Sequence, residues 1–299
     1  MHPEEPVRPT PADGQGSGLP GCHRHPERET GVGCTRCGRP ICPECMVPAS
    51  VGFQCPDCVR GEAAQQARQR PRTTAGALVA LGDGALVTKV LIGINLLVFL
   101  LTEYVDQVWQ FRLGMRSGAD AFGTRIGVAA GPAEWYRLVS GMFVHAGVMH
   151  ILMNMFSLWV LGPQLERVLG RWRFLALYLL SGVAGNAFGY LLDGADMFSV
   201  GASGAIFGLL GATAVLFRVN RVPMQPVIAL LVVNLVLTFT LNNIDWRAHL
   251  GGLVAGVAIG AGMLYAPPGR RSLVQGLALG GAVAAILLML LIGTARLPG

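Results

Sequence analysis

The sequence predicts an all-α polytopic membrane protein with a small metal-binding module at its N-terminus. Three observations carry this reading. Of 299 residues, 52% are hydrophobic and only 13% are charged, against about 25% charged in an average soluble domain; mean hydropathy is +0.51. The apolar residues are also concentrated, since residues 1–72 are polar while residues 87–294 hold the long apolar runs. All seven cysteines lie before position 59. Two regions in different solvents follow, which argues against both a soluble globular domain and a disordered chain.

Residues 1–20 are rich in Pro, Gly and Glu and read as a disordered tail. Residues 21–60 form the metal-ligand module. Six cysteines make C-x-x-C pairs (Cys34/Cys37, Cys42/Cys45, Cys55/Cys58), and Cys22 stands three residues before His25. Such short gaps let two ligands grip one ion from a tight turn, whereas a disulfide framework gives no reason for paired spacing. Eight ligands suit two tetrahedral Zn²⁺ ions. His23 makes a poor substitute for His25, because C-x-H is a strained bite. Forty residues form little core, so metal would supply the folding energy. Residues 61–85 read as a linker, and nothing before the module reads as a signal peptide, since the first apolar run begins only near residue 75.

Seven apolar segments follow, near 87–105, 143–162, 172–192, 201–217, 224–241, 247–265 and 273–294. Each approaches the roughly 20 residues that cross a bilayer. With the N-terminus in the cytoplasm, the inner loops carry Arg167, Arg171 and Arg173, then Arg218 and Arg221, then Arg270 and Arg271. That arrangement satisfies the positive-inside rule, apart from the long first outer loop near 106–142 with Arg112, Arg116, Arg125 and Arg137, and long loops obey the rule poorly; it places the cysteines in a reducing compartment. The net charge of +6 is thus a topology signal, and without a dense basic block it does not point to nucleic acid.

Polar side chains in hydrocarbon are costly and need a reason. The second span holds His150 and Asn154, four apart and on one helix face. The fourth opens with Gly201-Ala202-Ser203-Gly204, and the sixth reaches His249 near its start. These three spans run in the same direction, with their polar residues toward the outer end. Counting about 1.5 Å per residue back from the inner boundary puts Ser203 roughly 9 Å and His249 roughly 6 Å below the outer surface. Gly204 and Gly208 on the fourth span, and Gly252, Gly256 and Gly260 on the sixth, permit close backbone approach. Ser203 then becomes a candidate nucleophile and His249 its base. His150, Asn154 and the Ser203 N–H become oxyanion donors. Asp245, one turn before His249, is a weaker candidate for orienting the ring. His145 reads as an outer-boundary residue, and Ser157, Ser181 and Thr213 as packing polars.

These residues carry a resemblance. Gly201-Ala202-Ser203-Gly204, His249-x-x-Gly252-x-x-x-Gly256 and His145 through His150-x-x-x-Asn154-Met155 resemble the rhomboid intramembrane serine proteases. So do Trp135-Tyr136-Arg137 and Leu161-Gly162-x-x-Leu165-Glu166-x-x-x-Gly170, read as the loop after the second span. The resemblance implies a rhomboid-like six-helix core over 86–268, with residues 269–299 as an extra C-terminal transmembrane helix. It implies a Ser203–His249 dyad, an oxyanion hole lined by His150 and Asn154, and no cofactor for catalysis. Where many members have Tyr one turn after the nucleophile, Phe207 can stack on His249 but cannot hydrogen-bond. The intervening Tyr136 leaves the role of Arg137 open. The order of ligand pairs resembles the cross-braced B-box type of zinc finger, in which first and third pairs share one ion and second and fourth the other; a sequential arrangement stays open.

The expectation is therefore a serine endopeptidase of the cell membrane that cleaves transmembrane segments of membrane-protein substrates. The alternative is a catalytically silent rhomboid-like binder of membrane proteins. Its partners are transmembrane substrates and the lipid bilayer, with room for a cytosolic protein at the zinc module and no nucleic acid. A solute transporter fits less well, because the spans show no inverted repeat.

Overall fold

The computed structural model describes residues 18–69, 72–77, 83–120, 124–193, 196–240 and 245–297. The expected tail therefore lies, for residues 1–17, outside the described residues. The chain divides into two units, Met1–Arg70 and Pro71–Gly299.

The first unit is built from turns. A two-stranded ribbon, β1 (Val47–Pro48) and β2 (Phe53–Gln54), pairs antiparallel. Helix α1 (Pro56–Gln69) follows, so residues 61–69, expected as part of a linker, continue the helix that begins at the last cysteine pair. Among the described residues, its buried hydrophobic cluster consists of Cys22, Cys34, Cys42, Cys45, Cys55 and one aliphatic side chain, Ile41. A core of sulfur with a single branched hydrophobe supplies little transfer energy of its own.

The second unit contains the expected seven apolar helices. Helix α2 (Leu86–Leu100) widens into a π-type coil through Val105, and a short α3 (Val108–Leu113) leads to β3 (Met115–Ala119) and β4 (Arg125–Gly127). After the single turn α4 (Arg137–Ser140) come α5 (Val148–Leu169) and α6 (Arg171–Asp193). Strand β5 (Asp196–Ser199) precedes α7 (Ser203–Val219), α8 (Gln225–Thr240), α9 (Trp246–Leu264) and α10 (Arg271–Arg296). Five of these helices are long and apolar enough to cross a membrane; Ser203–Val219 and Gln225–Val236 are shorter apolar stretches. The helical expectation omits one feature, an antiparallel sheet of order β4-β3-β5 in which Met115 pairs with Ser199.

The second span is shifted from its expected position. Residues 141–143 form a short 3₁₀ turn, and α5 continues past Gly162 to Leu169. The segment Leu161–Gly170, read as a loop, is thus the end of a helix, closed by Gly170 at φ +81°. Its acidic group explains the extension. Glu166 is 2% exposed and accepts from the Val87 N–H (2.9 Å), the Thr88 N–H (2.8 Å) and the Thr88 hydroxyl (2.8 Å). A carboxylate inside the bundle is tolerated because it satisfies the orphan donors at the N-terminus of α2. Gly162 makes room, since a Cβ there would lie 2.6 Å from the Thr88 methyl.

Helices α6, α7 and α9 form the centre. Gly252 and Gly256 of α9 lie directly on the backbones of Gly204 and Gly208 of α7, and an added Cβ at either would collide with them. This is the expected small-residue seam. A Cβ at Gly208 would also strike Ser181 of α6, which is fully buried. Helix α10 docks on α6 and α9 through Gln275, which accepts from Arg173 (2.8 Å) and donates to the Ala75 and Met263 carbonyls (3.0 and 3.1 Å). Much of its remaining surface is apolar and exposed, as expected of a lipid-facing helix.

Candidate active site and metal centres

Ser203 begins α7, four residues after the end of β5, and the α7–α9 seam fixes the approach of His249 to that end. Ser203, His249, His150 and Asn154 line one cavity of about 900 Å³, together with Phe207 and Thr238. The four residues singled out from the sequence are therefore brought together.

His249 is 5% exposed and held on two sides. Its ring stacks on Phe207 (centroids 4.2 Å apart, planes at 13°), the contact anticipated for a phenylalanine at that position. Its Nδ1 lies 2.8 Å from the Thr238 hydroxyl of α8. Asp245 does not orient the ring. It caps α9 by accepting from the Arg247 N–H (3.0 Å), and Arg247 in turn reaches Asp193 (3.1 Å).

The side of the cavity lined by His150 and Asn154 is equally specific. Ala146 N–H donates to His150 Nδ1 (3.4 Å), so a neutral His150 carries its proton on Nε2. Gly201, at φ +120°, lies against that ring: an added Cβ would sit 2.7 Å from both Cε1 and Nε2. Asn154 is 5% exposed and donates one amide hydrogen to the His150 carbonyl (2.9 Å), which leaves its second hydrogen for a ligand. His145 is fully buried, and its ring meets His150 edge-on at 5.1 Å. It thus backs His150 and limits how that ring can turn.

Arg137, whose role the sequence left open, is 8% exposed. Its guanidinium donates to the carbonyls of Phe111 (2.8 Å), Arg112 (2.5 Å) and Gly114 (3.2 Å) and pairs with Glu134. It collects the orphan carbonyls at the C-terminus of α3 and does not line the cavity. Thr238 is the residue that sequence reasoning missed. The signal was present: Asn234 and Thr238 repeat, on an apolar helix, the four-residue spacing of His150 and Asn154.

In the first unit two ligand sets assemble, Cys22/His25/Cys42/Cys45 and Cys34/Cys37/Cys55/Cys58, with the ligand atoms of each within 4.8 Å of one another. First and third pairs meet, as do second and fourth, so the cross-braced pattern holds and the sequential one does not. Sulfurs about 2.3 Å from a tetrahedral zinc stand about 3.8 Å apart. Cys37 and Cys55 are 3.8 Å apart, and His25 Nδ1 is 3.3 and 3.5 Å from Cys42 and Cys45. The donors therefore fit such an ion. His23 instead pairs with Asp57 (3.0 Å). Burial pushes the Cys22 thiol up, but N–H donors from Cys42, Arg24 and His25 outweigh it and bring it to about 6; Cys34 reaches about 6 in the same way. Burial and the sulfurs of Cys22 and Cys42 push Cys45 up to about 11. A cation in the site is what would let all these sulfurs ionise together.

A profile of the rhomboid domain matches residues 132–266. The chain is 42% identical over 139 residues to the putative rhomboid protease YdcA of Bacillus subtilis, an alignment that covers 45% of this chain and 69% of that protein. The chain belongs to the rhomboid family. It is also 36% identical to the rhomboid protease GluP of B. subtilis, over 46% of this chain and 27% of that one. RHOMBOID-like protein 5 of Arabidopsis thaliana is 37% identical over 45% of this chain and 46% of its own length. The matched rhomboid interval runs from before α4 to the end of α9, and so contains Ser203, His249, His150 and Asn154.

Proposed function

We propose that this rhomboid is an intramembrane serine protease that cleaves transmembrane segments of membrane proteins. The observation that carries the proposal is the convergence of Ser203 and His249 on one cavity, across a seam where glycine backbones touch. In this reading Ser203 Oγ attacks a substrate carbonyl while His249 Nε2 takes its proton. The resulting oxyanion accepts from His150 Nε2–H, the free Asn154 amide hydrogen and the Ser203 N–H. His249 then returns the proton to the departing amine, and water, activated by the same imidazole, hydrolyses the acyl-Ser203 ester. A substrate helix that is unstable near its outer end suits the site, because a stable helix hides its carbonyls from attack.

The N-terminal module, in the same proposal, holds two structural Zn²⁺ ions, faces the cytoplasm and offers a surface for a cytosolic protein. The multi-pass core lies in the cell membrane. Purified protein in liposomes is expected to cut a model transmembrane substrate, and Ser203→Ala to abolish cutting while the substrate still binds. Binding without cleavage by the parent would instead mark a silent rhomboid-like receptor.

A further inference from the structure

We infer that Thr238 is a positioning residue that fixes the tautomer of His249. The inference rests on the dyad reading above for its functional meaning, but its geometry stands alone.

A threonine hydroxyl has one hydrogen to donate and lone pairs to accept with. Thr238 Oγ1 stands 2.7 Å from the carbonyl of Asn234, four residues back on α8, and that carbonyl can only accept. The single hydroxyl hydrogen is thereby committed. The same oxygen lies 2.8 Å from His249 Nδ1 and can meet it only as an acceptor. Nδ1 must therefore carry a proton, and in the neutral ring Nε2 keeps its lone pair. Which nitrogen is protonated is set by the bond the other one makes. Here that bond leaves Nε2, the nitrogen required to take the Ser203 proton, as the base.

Among the described residues, Thr238 stands alone in this role. The Phe207 face offers no polar atom to the ring, Asp245 is engaged at the start of α9, and no other hydrogen bond to the His249 ring occurs among the described residues. Thr238 is 4% exposed, on a helix whose Ile228, Val232, Val233 and Val236 are about half exposed. A hydroxyl buried on a helix with a broad exposed apolar face indicates a specific partner. It makes α8 a supplier of orientation to a dyad whose two members sit on α7 and α9. Thr238 touches neither the substrate carbonyl nor Ser203 in this scheme and acts only through the imidazole.

The test uses the full-length protein in detergent, with ¹⁵N-labelled histidine. The parent is expected to show His249 as the Nδ1–H tautomer. Thr238→Val, which keeps the shape and removes the acceptor, is expected to show a mixture of tautomers and about 10- to 100-fold lower kcat, the effect of losing a hydrogen bond to a ring that becomes charged, with KM within about twofold. Thr238→Ser is expected to restore both. A parent His249 protonated on Nε2 alone would overturn the inference even if the Val variant failed to fold. So would a folded Thr238→Val with unchanged tautomer and kcat. Failure of the dyad reading is separate: it would appear as no cleavage and no Ser203 labelling by a phosphonate in the parent, with the tautomer still reporting on Thr238.

Discussion

Gly256 of α9 rests on the backbone of Gly208 of α7 so closely that no side chain fits between them. The same holds one turn earlier for Gly252 and Gly204. This seam is what converts two sequence positions 46 residues apart, Ser203 and His249, into neighbours on one cavity. In lipid, where apolar burial gives little drive for helix association, such close packing is the main attraction between helices.

Gly256→Leu should therefore be costly, because the obstacle is backbone and cannot swing aside. We expect a loss of about 3 kcal/mol or more and loss of proteolysis, measured as a drop in Tm in detergent and in cleavage of a transmembrane substrate. Gly276→Leu on α10 is the control, since an added Cβ there meets nothing within 4 Å, and it should leave both unchanged.

Glu166 holds the first membrane helix by its N-terminus. Glu166→Ala strands the buried Thr88 N–H and hydroxyl, which lose their only acceptor among the described residues. Each unsatisfied buried donor costs about 1–3 kcal/mol. The variant is expected to melt earlier, and hydrogen exchange at Val87 and Thr88 to speed up. An unchanged exchange rate would show that water or another group replaces the carboxylate.

The metal reading makes a count. Elemental analysis of the purified chain is expected to find two zinc ions, and Cys34→Ser and Cys42→Ser each to remove one, from different sets. A chelator should release both and expose the module to proteolysis, because its core holds little besides sulfur and Ile41. Loss of both ions from either single variant would contradict two separate tetrahedral sites.

The long apolar runs, the glycine spacing and the paired cysteines were legible because each is a local pattern with one physical meaning. The positions of Ser203, His249, His150 and Asn154 followed from polarity in the wrong solvent, a signal that survives without coordinates. What could not be read depended on partners far along the chain. Glu166 looked like a loop residue because nothing local shows that Val87 and Thr88 are its donors. Arg137 looked like a motif position of open role because the carbonyls it serves lie more than twenty residues earlier. The strand β5 is four residues long and exists by pairing with β3. Thr238 was hidden because a membrane threonine can satisfy its hydroxyl on its own helix, as Thr238 does on the Asn234 carbonyl, and nothing local marks a second partner on α9.

The most direct measurement is covalent labelling of the full-length protein by a serine-directed phosphonate, read by mass spectrometry of the labelled peptide. The account requires one adduct, on Ser203, with loss of the adduct in Ser203→Ala and strong slowing in His249→Ala. An adduct on another serine, or cleavage that persists undiminished in Ser203→Ala, would contradict it.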